Sequence, residues 1–405
     1  MLEARSSVDS SWGAHFPRPV LVACAGLPPI HGGTATIMKN LLSHLEPESV
    51  VLATARPSKR LQTLQMKPRH VRHYVLDQLA LPGRIERFRR FLLKGVVARR
   101  LVRLAQRTGC GAVVGVYPDL VFLDASQKAA AQLGLPFLPY LHDTVAEAAA
   151  TTSYAGWASD IQERVFSTAP AVFVATHGMA ELYRGKYDLD VVSLVHIYPE
   201  KINSSRLDEP PKNNSLFWSG NVYSINATSV TRVCKAMERI EDLGFTIATG
   251  QSRSDLAEMG LTSDRIQTTY VPVDRRTEYL DLIADHQVLV LALNWPDETQ
   301  VPFEELSTIF PTKAPEYLGS GRPVLVHCPE DYYLSRFFRS HGGAVIVNER
   351  SVDAVETALR QLLGSVEMQR ELGRQAIRAA HEFSPDNVVP VFHGRVVKAL
   401  EESGI

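Results

Sequence analysis

The stretch FPTKAPEYLGSGRPVLVHCP, Phe310 to Pro329, decides the fold, because it sets a charged helix start beside a short buried strand. Proline suits a first helical turn, where its missing N–H is not needed and its fixed φ matches the helix. The spacing predicts a helix opening near Pro311, with Glu316 little more than a turn inside it and Gly319 and Gly321 ending it. Pro323–His327 then reads as a central strand of a parallel sheet. The result is half of an α/β repeat, with Lys313 and Glu316 at its ligand-facing end.

Outward from this unit, short β-rich runs alternate with helical stretches through nearly the whole chain, the pattern of parallel sheets with crossover helices. A first series of strands is expected at Val20–Cys24, Val50–Ala53, Ala112–Val116, Phe137–Tyr140, Val172–Ala175 and Val191–Val195. A second is expected at Ser215–Ser219, Phe245–Thr249, Thr268–Val271, Val288–Ala292, Val324–His327 and Ala344–Val347. Between them Lys201–Asn214 is polar, contains Pro210-Pro211 and lacks apolar periodicity, so it reads as a linker. The fold class is therefore α/β with two Rossmann-like domains, 1–200 and 215–384, followed by a C-terminal helix within 385–405.

A length of 405 residues suits two domains. Charged residues at 21% and hydrophobic residues at 45% are ordinary for a globular protein, and a net charge of -1 gives no general attraction to nucleic acid. No run approaches the roughly eighteen apolar residues of a membrane span. The opening MLEARSSVDSSWGAHFPRP lacks an apolar signal core and reads as a loose tail. Cys24, Cys110, Cys234 and Cys328 show no CxxC pairing and read as buried thiols of a reducing, cytoplasmic compartment.

The segment around Glu316 resembles the nucleotide-sugar site of the retaining, two-Rossmann-domain (GT-B) glycosyltransferases called group 1. Their second domain carries a Glu–x7–Glu motif, then a small-residue turn and Pro-Val. Glu316 falls on the second glutamate, Thr308 stands in place of the first, and Pro311-Thr312-Lys313 matches a Pro-Ser/Thr-Lys variant. The resemblance covers nearly the whole chain. It implies two domains facing each other across a cleft, a terminal helix that crosses back onto the first domain, and transfer of a sugar with retention. Glu316 would hold the donor ribose, and Thr308 takes the position that meets the donor sugar.

Ligands of open α/β sheets bind outside the carboxyl ends of the strands, which sorts the remaining polar motifs. After Val20–Cys24, the loop Pro28–Gly33 resembles the family's Pro-Pro-x-x-Gly-Gly loop, with Gly32 and Gly33 near the donor and a helix capped by Thr34. Both His31 in that loop and His196, after Val191–Val195, are candidates for the acceptor side or hinge. His142 follows Phe137–Tyr140, where many family members contact the donor sugar through a histidine. Asp143 beside it reads equally as a helix cap. Gly220 and Asn221 follow Ser215–Ser219 and resemble the turn beneath the donor diphosphate. No basic residue follows that glycine, so Lys313 is the expected phosphate partner. Its position at a helix start, where the dipole repels a cation, points the same way.

Asp188-Leu189-Asp190 spells a metal-binding Asp-x-Asp but precedes its strand, and Arg322 likewise precedes one. Neither belongs to the ligand edge, and no cofactor or metal is expected beyond the nucleotide sugar as substrate. The run Arg84–Arg107 carries nine Arg or Lys against the single Glu86, interleaved with apolar residues. A basic amphipathic helix suits an anionic membrane surface and equally suits a crossover helix with its charges in water. Gly95 would divide it in two. The function expected is a glycosyltransferase acting on a saccharide or lipid-linked saccharide at the inner face of a membrane. The alternatives are a nucleotide-sugar epimerase and a non-catalytic binding subunit.

Overall fold

The computed structural model describes residues 15–26, 33–55, 71–76, 94–202, 207, 209–272 and 275–405. The first sheet is parallel and seven-stranded, in the order β3-β2-β1-β4-β5-β6-β7. Its strands are β1 (Val20–Cys24), β2 (Val50–Thr54), β3 (Arg72–Val75), β4 (Ala112–Tyr117), β5 (Phe137–Leu141), β6 (Val172–Val174) and β7 (Val191–Ser193). Residues of β1, β2, β4 and β5 are buried throughout, which is why each reads as an unbroken apolar run. By contrast β3 is an edge strand with exposed ends, and its sequence RHYV gave no strand signal.

The helices of this half follow from local chemistry. Helix α1 (Gly33–Leu42) contains Thr34 within its span, so Thr34 is not the cap that the sequence had suggested. Helix α2 spans Lys94–Thr108 and includes Gly95. Ala98, Leu101, Val102, Leu104 and Ala105 face inward, while Arg99, Arg100, Arg103 and Arg107 are exposed. Residues 84–93 of the basic run lie outside the described residues. Helix α3 (Leu120–Leu133) starts with Asp119 accepting the Phe122 N–H at 3.0 Å and ends at Gly134 with φ +65°. Three further helices follow: α4 (Ala146–Ala149), α5 (Ala155–Thr168) and α6 (His177–Lys186).

The second sheet is also parallel, six-stranded, in the order β10-β9-β8-β11-β12-β13. Its strands are β8 (Asn213–Ser219), β9 (Gly244–Ala248), β10 (Ile266–Thr269), β11 (His286–Ala292), β12 (Val324–His327) and β13 (Ala344–Val347). Val324, Leu325 and Val326 of β12 are wholly buried, each contributing about 1.5–3 kcal/mol of transfer free energy. Around the sheet stand α7 (Ala227–Glu238), α8 (Arg253–Glu258), α9 (Arg276–Ala284), α10 (Phe303–Thr308), α11 (Ala314–Ser320), α12 (Tyr333–His341), α13 (Val352–Gly364) and α14 (Val366–Ala380). Last comes α15 (Pro385–Glu402).

Residue packing groups the chain into two compact units, Met1–His142 with Glu163–Phe173 and Pro385–Ile405, and Asp143–Gln162 with Val174–Ser384. In the first, Phe392 of α15 packs its ring on Phe16 and Phe173, at 6.1 and 5.5 Å between centroids. In the second, paired register aligns the strand ends: Ser219 of β8 with Ala248 of β9, and Ala292 of β11 with His327 of β12. The polar loops after these residues therefore share one edge. Among the described residues no helix is long and apolar enough to cross a membrane.

Candidate functional site

The candidate site is built on the second unit at the carboxyl edge of its sheet. Strand β8 ends at Ser219, and Gly220 turns the chain with φ +91°, a conformation that disfavours any side chain. Nothing lies within 4 Å of where a Cβ would stand, so glycine is required there by backbone conformation and not by crowding. The exposed turn is braced from behind. Thr249 donates its hydroxyl to Asn221 Oδ1 at 3.2 Å, and Gln251 bonds both backbone groups of Val222, at 2.7 and 2.9 Å.

Beside this turn stands α11. The helix opens at Ala314, three residues later than the sequence predicted, because residues 311–314 close a turn in which the Ala314 N–H meets the Pro311 carbonyl at 2.8 Å. Pro315, and not Pro311, is the proline of the first helical turn. Glu316 accordingly lies in that first turn, where an acidic side chain favours the helix dipole. Gly321 ends the helix with φ +70°.

Three side chains tie α11 and α9 to the end of β8. The Lys313 ammonium donates to the Ser219 carbonyl at 2.8 Å and lies 2.8 Å from the centre of the Trp218 ring. The Ser219 N–H donates to the Tyr317 hydroxyl at 2.8 Å, and the Ser219 and Tyr279 hydroxyls bond at 2.8 Å. Tyr279 also donates to Glu316 Oε2 at 2.9 Å, while Arg276 pairs with Glu316 Oε1. Arg276 in turn grips Glu200 with two bonds of 2.6 and 2.8 Å. Burial pushes the half-buried Lys313 well below the usual lysine range, against the pull of Glu316. An anion beside it would restore its charge.

Of the residues singled out in the sequence, Gly220, Asn221, Thr312, Lys313, Glu316 and His196 belong to this unit's site region. His196 is buried against the Thr312 backbone, and burial with the Arg276 charge lowers it to about 4, so it is neutral at physiological pH. Thr308 is buried at the end of α10, with its hydroxyl bonded to the Glu305 carbonyl at 2.9 Å and its own carbonyl accepting from Thr176 at 2.9 Å. That hydroxyl points along its own helix. Gly33 lies at the start of α1 in the first unit, while His31 and Gly32 lie outside the described residues. His142 follows β5 directly and sets its buried ring edge-on against Tyr140, 4.3 Å between centres. Asp143 does not cap α4: Val145 stands at that cap with no side-chain bond, while the Thr144 hydroxyl before it accepts from the Ala148 N–H at 3.0 Å.

Sequence reasoning missed Arg276, Tyr279 and Glu200, and also Glu305. Glu305 of α10 is buried and accepts the N–H of Thr144 at 2.9 Å and the Thr144 hydroxyl. Burial first, then the charge of Asp143, pushes it up to about 7. Tyr223, exposed on the Gly220 turn, feels both Asp143 and Glu305, so these three groups face a common region of the second unit.

No family model matches the chain, and no curated protein matches it. Solved structures do. Sucrose-phosphate synthase from Thermosynechococcus elongatus superposes with a TM-score of 0.67 at 14% identity, covering 95% of this chain and 100% of that one. Anabaena Alr3699/HepE in complex with UDP gives 0.67 at 11% identity, covering 95% and 100%. A Listeria monocytogenes protein assigned as a UDP-N-acetylglucosamine 2-epimerase gives 0.57 at 11% identity, covering 95% and 96%. The fold is thus the double-Rossmann architecture of the GT-B type, as the sequence predicted.

Proposed function

We propose that the chain is a glycosyltransferase that binds a nucleotide-sugar donor at the carboxyl edge of its second sheet. The observation that carries this reading is the joining of a Gly220 turn, the Lys313 ammonium and the Glu316 carboxylate through the single residue Ser219 and its tyrosine partners. A nucleoside diphosphate needs backbone donors and a cation for its phosphates and an acceptor for its ribose hydroxyls. The resemblance of Pro311–Pro323 to the group 1 motif, and the UDP bound by a structural neighbour, support the same assignment.

In the proposed reaction the bond between the sugar's anomeric carbon and the diphosphate breaks, and an acceptor hydroxyl oxygen bonds that carbon with retention. The acceptor's proton passes to the departing diphosphate. Lys313 stabilises the charge that builds there, His142 meets the sugar, and no metal takes part. The acceptor is a saccharide or lipid-linked saccharide, presented at an anionic membrane surface met by the basic face of α2.

The experiment is release of nucleoside diphosphate from UDP-, GDP- and ADP-sugars, with and without a panel of saccharide and lipid-linked acceptors, in chelator and in added magnesium. Acceptor-dependent release insensitive to chelator is the expected result. The epimerase-like neighbour supports a second reading, conversion of the nucleotide sugar itself. Sugar interconversion without any acceptor would replace the first reading by the second, and binding without turnover would leave a non-catalytic subunit.

A further inference from the structure

Parallel strands covered on both faces read as unbroken apolar runs, yet β10 alternates as IQTT, and β8 and β9 open with polar or small residues. Leu216, Phe245 and Ile266 enter the buried core of the second unit, so with a period of two Ser215, Gly244, Thr246 and Gln267 take the opposite face. Register sets Ser215 beside Gly244 and Thr246 beside Gln267. All of these residues line one cleft of about 490 Å³ at the amino ends of the strands. From Ser215 to Ser219 the usual strand rise amounts to about 13 Å, which separates the cleft from the donor edge.

We propose that this cleft is a second binding site, which holds an uncharged saccharide by its hydroxyl groups. The proposal goes beyond the donor reading and stands without it. Ser215 is only 7% exposed, and among the described residues its hydroxyl has no hydrogen-bond partner. A buried hydroxyl left unpaired is costly, and one that lines a cleft can be satisfied by a ligand hydroxyl. Around it the exposed Asn213 and Gln267 amides offer both donors and acceptors, and the exposed Asp242 and Asp264 offer acceptors. Sugar hydroxyls, each a donor and an acceptor, match that mixture.

Charge argues against an anionic ligand. Lys212 is paired with Asp285 at 2.8 Å, and Arg265 turns its guanidinium to the carbonyls of Glu238 and Ile240, the second at 2.6 Å. Asp242 and Asp264 have no ion pair among the described residues, so a phosphate would meet free carboxylates beside cations already engaged. Gly244 completes the case. Its φ is not positive, and a Cβ there would meet Ser215 Cβ and the carbonyls of Arg265 and Asn214 at 3.5–3.8 Å, which is ordinary contact. Neither conformation nor crowding requires glycine at this strand position, and its effect is to keep the cleft floor open beside Ser215.

The test is calorimetric titration of the full chain with maltotriose, cellotriose, mannotriose and chitotriose, and with inorganic phosphate. The chains compared are wild type, Gly244→Val, the double variant Ser215→Ala/Gln267→Ala, and Lys313→Met. Wild type should bind at least one trisaccharide and no phosphate, and Gly244→Val and the double variant should each lose about tenfold or more in affinity. Lys313→Met, altered at the donor edge, should bind the trisaccharide as wild type does. The double variant removes an unpaired buried hydroxyl and an exposed amide, so it should melt no lower than wild type and stays readable if Gly244→Val misfolds. The proposal is overturned by absence of trisaccharide binding in wild type, by unchanged affinity in the double variant, or by a loss in Lys313→Met alone. Phosphate binding that Gly244→Val removes would overturn it as well. None of these results touches the donor site, which nucleotide-sugar binding tests separately.

Discussion

The Lys313 ammonium donates to the carbonyl of Ser219 across 2.8 Å, joining residues 94 positions apart in sequence. That bond gives the last carbonyl of β8 and the half-buried ammonium each a partner. The lysine that looked misplaced at a helix start thus has a structural partner, and its ammonium stands at the turn where a diphosphate is proposed to sit.

Replacing Lys313 with Met keeps the stem on Trp218 and removes the charge. Turnover should fall about a hundredfold, with donor affinity reduced several-fold less, because charge on the leaving phosphate peaks in the transition state. Burial holds this lysine's pKa down in the unliganded chain, so binding a nucleoside diphosphate on the alkaline side of neutrality should take up a proton. Calorimetry in buffers of different ionisation enthalpy reads that uptake. Its persistence in Lys313→Met would assign the proton elsewhere.

Glu305 gives a pH dependence of stability with a defined sign. Its folded pKa, about 7, lies above the ordinary glutamate value, so the folded chain holds a proton that the unfolded chain releases. The associated stability is fully present below the ordinary glutamate range and is lost as pH rises through about 7. The facing groups are Asp143, Glu147 and Tyr223, none of which supplies positive charge. Melting curves from pH 5 to about 8.5 should therefore decline for wild type, and Glu305→Gln should flatten that decline. A parallel decline in the variant would place the titration on another group.

His142→Ala should lower sugar transfer about tenfold or more while leaving free nucleoside diphosphate binding nearly intact, since the proposal sets this ring at the sugar. The ring also packs on Tyr140, so a melting curve must accompany the assay. Equal losses of affinity for the nucleotide and the intact nucleotide sugar would contradict the assignment.

Changing Arg99, Arg103 and Arg107 of α2 together to Gln should abolish co-sedimentation with anionic vesicles at low salt. Near-surface basic residues each add about 1 kcal/mol that salt screens. Their exposure opposite an apolar buried face makes the change safe for folding. Binding that ignores lipid charge, or survives in the triple variant, would leave α2 a solvated crossover helix.

Strands were legible as apolar runs between turn residues: Val20–Cys24 and Val324–His327, buried on both faces, and Ala344–Val347, a half-buried apolar edge strand, match their predicted bounds. Strand β3 escaped because RHYV lies half-exposed at a sheet edge, where polar residues are permitted. The start of α11 slipped because two prolines, Pro311 and Pro315, both suit a first turn, and local rules do not choose between them. Gly220, Lys313 and Glu316 were visible as motifs beside strand ends. Arg276 and Tyr279 were not, although they follow β10 at that same edge, since no local spacing links them to Glu316. Glu305 pairs with Thr144 across 161 residues, a relation only the folded chain supplies.

The most direct measurement of the central claim is calorimetric titration of the chain with UDP-, GDP- and ADP-sugars, in wild type and in Glu316→Gln. The account predicts saturable one-site binding of at least one nucleotide sugar. It also predicts a loss of about tenfold in the variant, because an amide matches poorly the two hydroxyl bonds that an ionised carboxylate accepts. Absence of binding to every nucleotide sugar, or equal affinity in a folded Glu316→Gln variant, would contradict it.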